Sequence, residues 1–194
     1  MGTLRGTLPL LPILALRVAE TGTLEIPMTI ENKLSSYHKR RDFTKTKEPI
    51  GKKQKISKQP IFVIQKHNAR QLHYDFRLEI GKVLKSWAVP KGPSKDPKEK
   101  RLAIETDDHP LEYAQFEGKI PEGQYGAGTV KIFDYGTYEN IKTRDGKLVP
   151  IKKCLRDGKI EVYLNGRRIK GSYVLIRFGE NKKNWLLKKM KDKE

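Results

Sequence analysis

Residues 72–80 run Leu72-His73-Tyr74-Asp75-Phe76-Arg77-Leu78-Glu79-Ile80, and apolar and polar residues alternate through them without a break. Strict alternation has the period of a β-strand, with one apolar face and one polar face. Residues on the same side of a strand stand about 6–7 Å apart, so His73 and Asp75 can lean toward one ion. Arg77 follows on the same face, which we expect to be exposed to solvent.

A second histidine, His67, ends the apolar run that precedes this strand. The segment 68–71 (Asn-Ala-Arg-Gln) has the composition of a turn, and a hairpin there would return His67 to the side of His73. Two imidazoles and a carboxylate make three ligands on one side of a divalent ion, leaving positions for water and a substrate oxygen. Histidine and aspartate on the outer face of a strand are more often simply solvated. Arg77 nevertheless favours a metal site that acts on a phosphate ester, because its planar guanidinium matches a phosphate.

The charge of the chain indicates a polyanionic partner. Its 194 residues have room for one domain with a core, and 41 Lys and Arg against 23 Asp and Glu give a net charge of +18. We expect nucleic acid first and an anionic membrane second, the alternative being a basic protein with neither partner. The basic residues are scattered between apolar segments, which favours a folded basic surface over a disordered tail.

The single cysteine, Cys154, excludes an intrachain disulfide and a cysteine zinc site. It fits a reducing cytoplasm and is expected to be a small buried hydrophobe.

We predict that residues 1–30 are a dispensable extension: the apolar run 8–16 is too short to span a bilayer as a helix and only weakly resembles a signal peptide. Residues 31–60 are predicted to be a basic arm without a core pattern, or else a solvated linker, and residues 61–194 the folded domain.

Eight segments after residue 60 have strand character, and helical periodicity is scarce. They are Ile61–Lys66, Leu72–Ile80, Lys82–Val89, Arg101–Glu105, Thr129–Tyr135, Ile160–Leu164, Ser172–Phe178 and Trp185–Lys189. This pattern predicts an all-β fold, a barrel or sandwich. We predict a compact single-domain β-barrel of about eight strands with minor helical turns and an N-terminal arm. The glycine-rich run 122–129 lacks the Gly-Lys-Ser/Thr of a phosphate-binding loop and is interpreted as a tight bend.

Residues 62–138 resemble the 3′-phosphoesterase domain of bacterial DNA ligase D and its stand-alone archaeal and bacterial relatives. Shorter runs at 41–43 and 46–49 resemble the N-terminal arm of that family. The runs that carry the resemblance are Gln65-Lys66-His67, Leu72–Glu79, Leu84–Ser94, Asp108–Tyr113, Phe116-Glu117-Gly118 and Ile120–Gly126.

The resemblance implies a small β-barrel that heals 3′ ends with a manganese-like divalent metal, Mn²⁺ or alternatively Co²⁺ or Zn²⁺. It would remove a 3′-phosphate and trim a terminal ribonucleoside. The implied roles are metal binding by His67, His73 and Asp75, phosphate binding by Arg77, His109 and Tyr113, auxiliary basic contacts by Lys91 and Arg101, and substrate contacts by the arm residues Arg41, Asp42 and Glu48. Asp107 stands where the family often has glutamate, which leaves its assignment to the substrate open.

The expected substrates are DNA 3′ ends, including ribonucleotide-tipped primer-templates. We expect a stand-alone, cytoplasmic monomer that works with a separate DNA ligase and polymerase and not with a membrane.

His109 has an ordinary pKa range suited to proton donation to the leaving 3′-oxygen, with water as the nucleophile; a purely structural histidine is the alternative. The competing functions are a non-catalytic nucleic-acid-binding β-barrel in a repair complex and a scaffold. A carboxylate such as Asp75 would not help a passive phosphate binder.

Overall fold

The computed structural model describes residues 17–18, 24–25, 29–51 and 59–191. Most of the predicted extension and residues 52–58 of the predicted arm lie outside these ranges. Before the main domain come the paired strands β1 (Arg17–Val18) and β2 (Leu24–Glu25) and two short helices, α1 (Ile30–Lys33) and α2 (Ser35–Lys39). The main-domain strands are β3 (Ile61–Asn68), β4 (Leu72–Ile80), β5 (Val83–Val89), β6 (Lys100–Glu105), β7 (Gly118–Ile120), β8 (Gly128–Asn140), β9 (Thr143–Arg144), β10 (Lys147–Leu148), β11 (Lys159–Gly166), β12 (Lys170–Arg177) and β13 (Asn184–Lys189).

Eight antiparallel strands close into a barrel, in the order β3-β4-β5-β6-β13-β12-β11-β8 and back to β3. The long strand β8 closes the ring because it pairs with β3 on one side and β11 on the other, as in Phe62 opposite Gly136 and Leu164 opposite Tyr138. Where β8 passes β11, a Cβ on Gly136 would lie 2.2 Å from the Asn165 carbonyl oxygen, so only glycine fits there. The predicted barrel of about eight strands is confirmed.

The interior of the barrel is an apolar core formed by the inward-facing side chains of its strands. Phe76, Leu78 and Ile80 of β4 lie in it, as their alternation predicts. Trp87 and Trp185 are fully buried there, with ring centroids 5.7 Å apart in an edge-to-face arrangement. Cys154 is also buried in this core, as predicted, and belongs to the helix α3 (Ile151–Asp157).

A second apolar cluster lies on the outer face of β3, β5, β7 and β8. It contains Tyr37 of α2, Val63, Leu84 and the apolar residues of the 3₁₀ helix Leu111–Gln115. The expectation that the polar face of β4 is exposed is therefore wrong, because these segments shield it from water. Asp75 is 6% exposed and Arg77 is 2% exposed.

None of the helices within the described ranges is both long enough and apolar enough to cross a membrane.

Candidate metal and phosphate site

The β3–β4 hairpin places three potential metal ligands side by side. Its register sets His67 opposite His73 and Gln65 opposite Asp75, all on the outer face. The Asp75 carboxylate lies 3.4 Å from His67 Nδ1 and 3.7 Å from His73 Nε2. One ligand atom from each of the three residues lies within 4.8 Å of the others, so the group could hold a metal ion. The hairpin that the sequence predicts at residues 68–71 is confirmed.

Backbone carbonyls fix how the two imidazoles present their nitrogens. His67 Nε2 lies 2.9 Å from the Gly126 carbonyl oxygen, and His73 Nδ1 lies 2.9 Å from that of Gln71. A carbonyl only accepts hydrogen bonds, so each of these nitrogens carries the proton. The other nitrogen of each ring faces Asp75 and is the one available to a metal ion, to which a ligand histidine must present a lone pair. This donor set of two imidazoles and one carboxylate suits a divalent transition metal.

Arg77 is held beside this cluster by three hydrogen-bond acceptors and lies against the ring of His109. Its Nη2 donates to Asp75 Oδ2 at 3.0 Å and its Nε to Gln65 Oε1 at 2.8 Å. Its Nη1 lies 2.8 Å from both Ser86 Oγ and His109 Nδ1. Burial alone raises the pKa of the Asp75 carboxyl, but Arg77, followed by the His67 hydrogen bond and the histidine charges, outweighs burial and holds that pKa below its ordinary value. Asp75 is therefore a carboxylate at neutral pH.

Gln65 and Ser86 orient Arg77, and neither was predicted from the sequence to lie in the site. Both are fully buried. The Gln65 Nε2 group donates to the carbonyls of Tyr113 and Phe116, so its amide oxygen must face Arg77. A polar residue that breaks the apolar pattern of β3 is the one sequence signal that could have identified Gln65.

His109 lies between two guanidinium groups. Its Nδ1 is 2.8 Å from Arg77 Nη1, and its Nε2 is 3.3 Å from Arg41 Nη2. Burial first, and then the charges of Arg77 and Arg41, lower the pKa of His109 well below 6.5. The ring is therefore neutral at physiological pH in the free protein. The expectation that His109 keeps an ordinary pKa is wrong, because the site is buried and positively charged.

The arm forms one wall of the site through Arg41 and Glu48. Glu48 Oε1 accepts hydrogen bonds from Arg41 Nε at 2.8 Å and from the Tyr113 hydroxyl at 3.0 Å, and Oε2 accepts from Thr46 Oγ1 at 3.0 Å. Burial raises the pKa of Tyr113 well above 10, so its hydroxyl remains a donor. The Glu48 carboxylate thus joins the arm to the barrel, and Arg41 and Glu48 both take part in building the site.

A cavity of about 320 Å³ collects most of the residues singled out from the sequence. Its lining combines the three potential metal ligands, which we call the metal cluster, with two arginines and with residues of the segment 107–113, which leads into the 3₁₀ helix. The lining side chains include Arg41, His67, His73, Asp75, Arg77, Asp107, His109, Tyr113 and Tyr125. Such a cavity, with three potential metal ligands at one end and two guanidiniums beside them, matches the charge and size of a phosphate ester.

The model of the DNA ligase D 3′-phosphoesterase domain matches residues 65–177, which is more than half of the chain. The chain belongs to the DNA ligase D 3′-phosphoesterase domain family. Among curated proteins it is similar to the multifunctional non-homologous end joining protein LigD of Pseudomonas aeruginosa, with 45% identity over 83% of this chain and 19% of the relative. It is similar to LigD of Mycolicibacterium smegmatis, with 45% identity over 92% of this chain and 24% of the relative.

The multifunctional non-homologous end joining DNA repair protein LigD of Mycobacterium tuberculosis is 43% identical over 92% of this chain. The chain covers 23% of that protein. This member of the phosphoesterase domain family thus spans about a fifth to a quarter of the length of these curated relatives.

Four of the residues singled out from the sequence do not line the cavity of this family member, and one of them, Glu48, is buried behind Arg41 and Tyr113. The Asp42 carboxylate accepts hydrogen bonds from the backbone and hydroxyl of Thr44 and pairs with Lys45 at the surface. Lys91 is exposed beyond the end of β5. Arg101 is opposite Leu187 on the barrel-core face of β6 and pairs with Glu99. Arg101 therefore points away from the outer face that carries Asp75.

Proposed function

We propose that this protein is a divalent-metal-dependent phosphoesterase that heals DNA and RNA-tipped 3′ ends in non-homologous end joining. It would remove a 3′-phosphate and trim a 3′-terminal ribonucleoside. The observation that carries the proposal is the 3.0 Å hydrogen bond between Asp75 and Arg77, which joins a metal-ligand cluster to a phosphate-binding guanidinium in one cavity. Membership of the family and the similarity to LigD proteins support the reaction class and the repair role.

The metal would be held by His67, His73 and Asp75, with Mn²⁺ first and Co²⁺ or Zn²⁺ as alternatives. When bound, the ion supplies Lewis-acid polarisation of a phosphoryl oxygen. The metal cluster and the Arg77 guanidinium share the Asp75 carboxylate, so a phosphate that reaches the cluster also reaches Arg77.

Arg77, Arg41 and Tyr113 would position the phosphate and stabilise the charge that develops on it. The two guanidiniums lie on opposite nitrogens of His109, and the Tyr113 ring is 4.8 Å from the Arg77 guanidinium carbon. All three side chains are fixed before substrate arrives, because Glu48, Gln65 and Ser86 hold them. Preorganised donors of this kind stabilise a transition state without reorganisation during the reaction.

His109 would donate a proton to the leaving 3′-oxygen as water displaces it from phosphorus. In the free protein two nearby guanidiniums help to keep the ring neutral. A bound phosphate adds negative charge beside both of them and so favours the imidazolium. The proton and the phosphate would therefore arrive together, and the proton would leave with the 3′-hydroxyl.

The substrate would be a DNA 3′ end, including ribonucleotide-tipped primer-templates. The net charge of +18 supports binding to a polyanion. We further propose a cytoplasmic, monomeric protein that acts with a DNA ligase and a polymerase.

The deciding experiment offers an oligonucleotide ending in a 3′-phosphate to the protein with and without Mn²⁺. We expect metal-dependent release of inorganic phosphate, and we expect Asp75→Asn to abolish it. Release of a nucleoside from an oligonucleotide with one 3′-terminal ribonucleotide tests the second activity. No release under Mn²⁺, Co²⁺ or Zn²⁺ would contradict the proposal and favour a non-catalytic nucleic-acid-binding barrel.

A further inference from the structure

The cavity that contains the metal cluster adjoins two further cavities. One of about 460 Å³ shares Thr106 and Asp107 with it, and a third of about 210 Å³ shares Lys33, Lys85 and Asp108 with the second. The three cavities therefore follow one another, from the site past residues 106–108 to Lys152. We call the second and third cavities the basic groove. Its basic side chains are Lys33, Lys85, Lys152, Arg177, Lys182 and Lys183.

The acidic side chains of the basic groove already have partners. Asp108 pairs with Lys85 at 2.8 Å, and Asp107 pairs with Arg40 at 3.4 Å. Glu105 accepts a hydrogen bond from the Trp185 indole at 2.9 Å. Asp107 and Asp108 are thus paired with cations, and the six basic side chains of the groove outnumber its three acidic ones.

Several lysines of the groove remain available to an anion. Lys182 and Lys183 are exposed and form no ion pair within the described part of the chain. Burial first, and then the charge of Lys152, lower the pKa of Lys33, whose Nζ donates to the Gly81 carbonyl oxygen at 2.8 Å. Lysines on flexible stems are point charges that suit sequence-independent contacts with phosphates.

We propose that the basic groove binds the sugar–phosphate backbone of the strand whose 3′ end lies in the metal and phosphate site. This inference rests on the proposed function, because a strand held by its 3′ end must leave the cavity in the 5′ direction. The groove adjoins the cavity at Thr106 and Asp107 and provides cations along the exit path. An acidic protein segment is the competing occupant of the groove. The nucleic acid strand is favoured over it because the strand is covalently joined to the 3′ end that lies in the site, whereas a protein segment is not.

The test compares a long and a short substrate with the double variant Lys182→Gln/Lys183→Gln. The long substrate is a single-stranded oligonucleotide of about 12 nucleotides with a 3′-phosphate, and the short one is a dinucleotide with a 3′-phosphate. We expect KM for the long substrate to rise on the order of tenfold with kcat little changed, and both constants for the short substrate to be unaffected. The slope of log affinity against log salt should become shallower by about 1.4, as for two fewer neutralised phosphates.

The matched control is Lys147→Gln/Lys170→Gln, which removes two exposed lysines outside the three cavities and makes the same change in net charge. We expect this control to keep the wild-type KM for both substrates. Equal effects of the two double variants, or an unchanged KM and salt slope in the groove variant, would overturn the proposal. So would a groove variant that loses binding to polyglutamate but keeps its affinity for the oligonucleotide.

If the wild type releases no phosphate from either substrate under any of the metals, the proposed function fails. The groove is then judged on binding alone, by fluorescence anisotropy of the labelled oligonucleotide. Weaker binding by the groove variant than by the control would support the groove, and equal binding would overturn it.

Discussion

The carboxylate of Glu48 accepts a hydrogen bond from the hydroxyl of Tyr113 at 3.0 Å, although the two residues are 65 positions apart. The same oxygen also accepts the Arg41 Nε–H group at 2.8 Å. One buried oxygen therefore sets the positions of two residues that would contact phosphate, one from the arm and one from the 3₁₀ helix.

The substitution Glu48→Ala should impair phosphate removal and ribonucleoside removal together. It leaves the Arg41 guanidinium without its buried partner, which typically costs about 3–5 kcal/mol of stability. Misplacement of a phosphate-binding group by about 1 Å costs on the order of a hundredfold in rate. Turnover of both substrates and a melting curve check this, and Glu48→Gln, which keeps an acceptor oxygen, should lose less. Loss confined to ribonucleoside removal would show that Glu48 serves the substrate directly.

The substitution Asp42→Ala should affect ribonucleoside removal more than phosphate removal. The Asp42 side chain is at the surface, and hydrogen bonds from Thr44 lead the contacts that lower its pKa, so it is an anionic acceptor available to a 2′-hydroxyl. Two substrates, one ending in a 3′-phosphate and one in a single ribonucleotide, separate the activities. Equal losses on both substrates would contradict this division of labour.

Substitutions of the metal ligands should all abolish turnover but should differ in their effect on stability. Asp75→Ala removes the buried carboxylate that pairs with Arg77, whereas the His73 side chain is 22% exposed and its loss leaves no buried charge unpaired. We expect the melting temperature to fall more for Asp75→Ala than for His73→Ala, both measured without metal. Wild-type turnover at limiting metal in either variant would remove that residue from the ligand set.

Acid should destabilise the metal-free protein through His109 before it affects Asp75. Because the pKa of His109 is lowered well below 6.5 on folding, the unfolded state binds the extra proton as the pH falls below 6.5. This contribution to stability is complete above that pH and is lost progressively toward the lowered pKa. Because the pKa of Asp75 is lowered on folding, its contribution to stability is complete above pH 3.8 and is lost only below that pH. Melting curves from pH 7 to 5 should therefore fall less steeply for His109→Asn than for the wild type; parallel curves would contradict this.

Removal of the Gln65 amide should disturb Arg77 without touching substrate. Gln65→Leu leaves the Arg77 Nε–H group and the carbonyls of Tyr113 and Phe116 without their buried partner, at a typical cost of about 1–3 kcal/mol. We expect a lower melting temperature and a lower kcat. Ser86→Ala removes one partner of Arg77 and should have a smaller effect on both quantities. Wild-type kcat in Gln65→Leu would show that Arg77 is held well enough by its other partners.

The metal-ligand group follows from sequence because it depends on local geometry alone. Alternation through residues 72–80 specifies the face of each side chain, and the turn at 68–71 sets the register that joins His67 to His73. The burial of that face could not be predicted, since the covering residues come from segments around Tyr37 and Tyr113 that lack strand periodicity.

The partners of Arg77 and His109 also required the tertiary structure. Ser86 reaches Arg77 through the pairing of β4 with β5, and Arg41 reaches His109 across 68 positions of sequence. Neither spacing leaves a periodic signal in the chain. Arg101 shows the opposite case, in which a basic residue in the right region lies on the barrel-core face of its strand.

The apolar cluster inside the barrel and the second apolar cluster lie on opposite faces of β3 and β5, and we expect this arrangement to make them separate cooperative units. The inner unit is enclosed by a closed ring of backbone hydrogen bonds, whereas the outer unit depends on short helices and side-chain contacts. Native-state hydrogen exchange should then detect a partial opening in which the arm detaches while the barrel amides stay protected. In that state Arg41 and Glu48 would be withdrawn from the site, while His67, His73 and Asp75 remained in place on their hairpin.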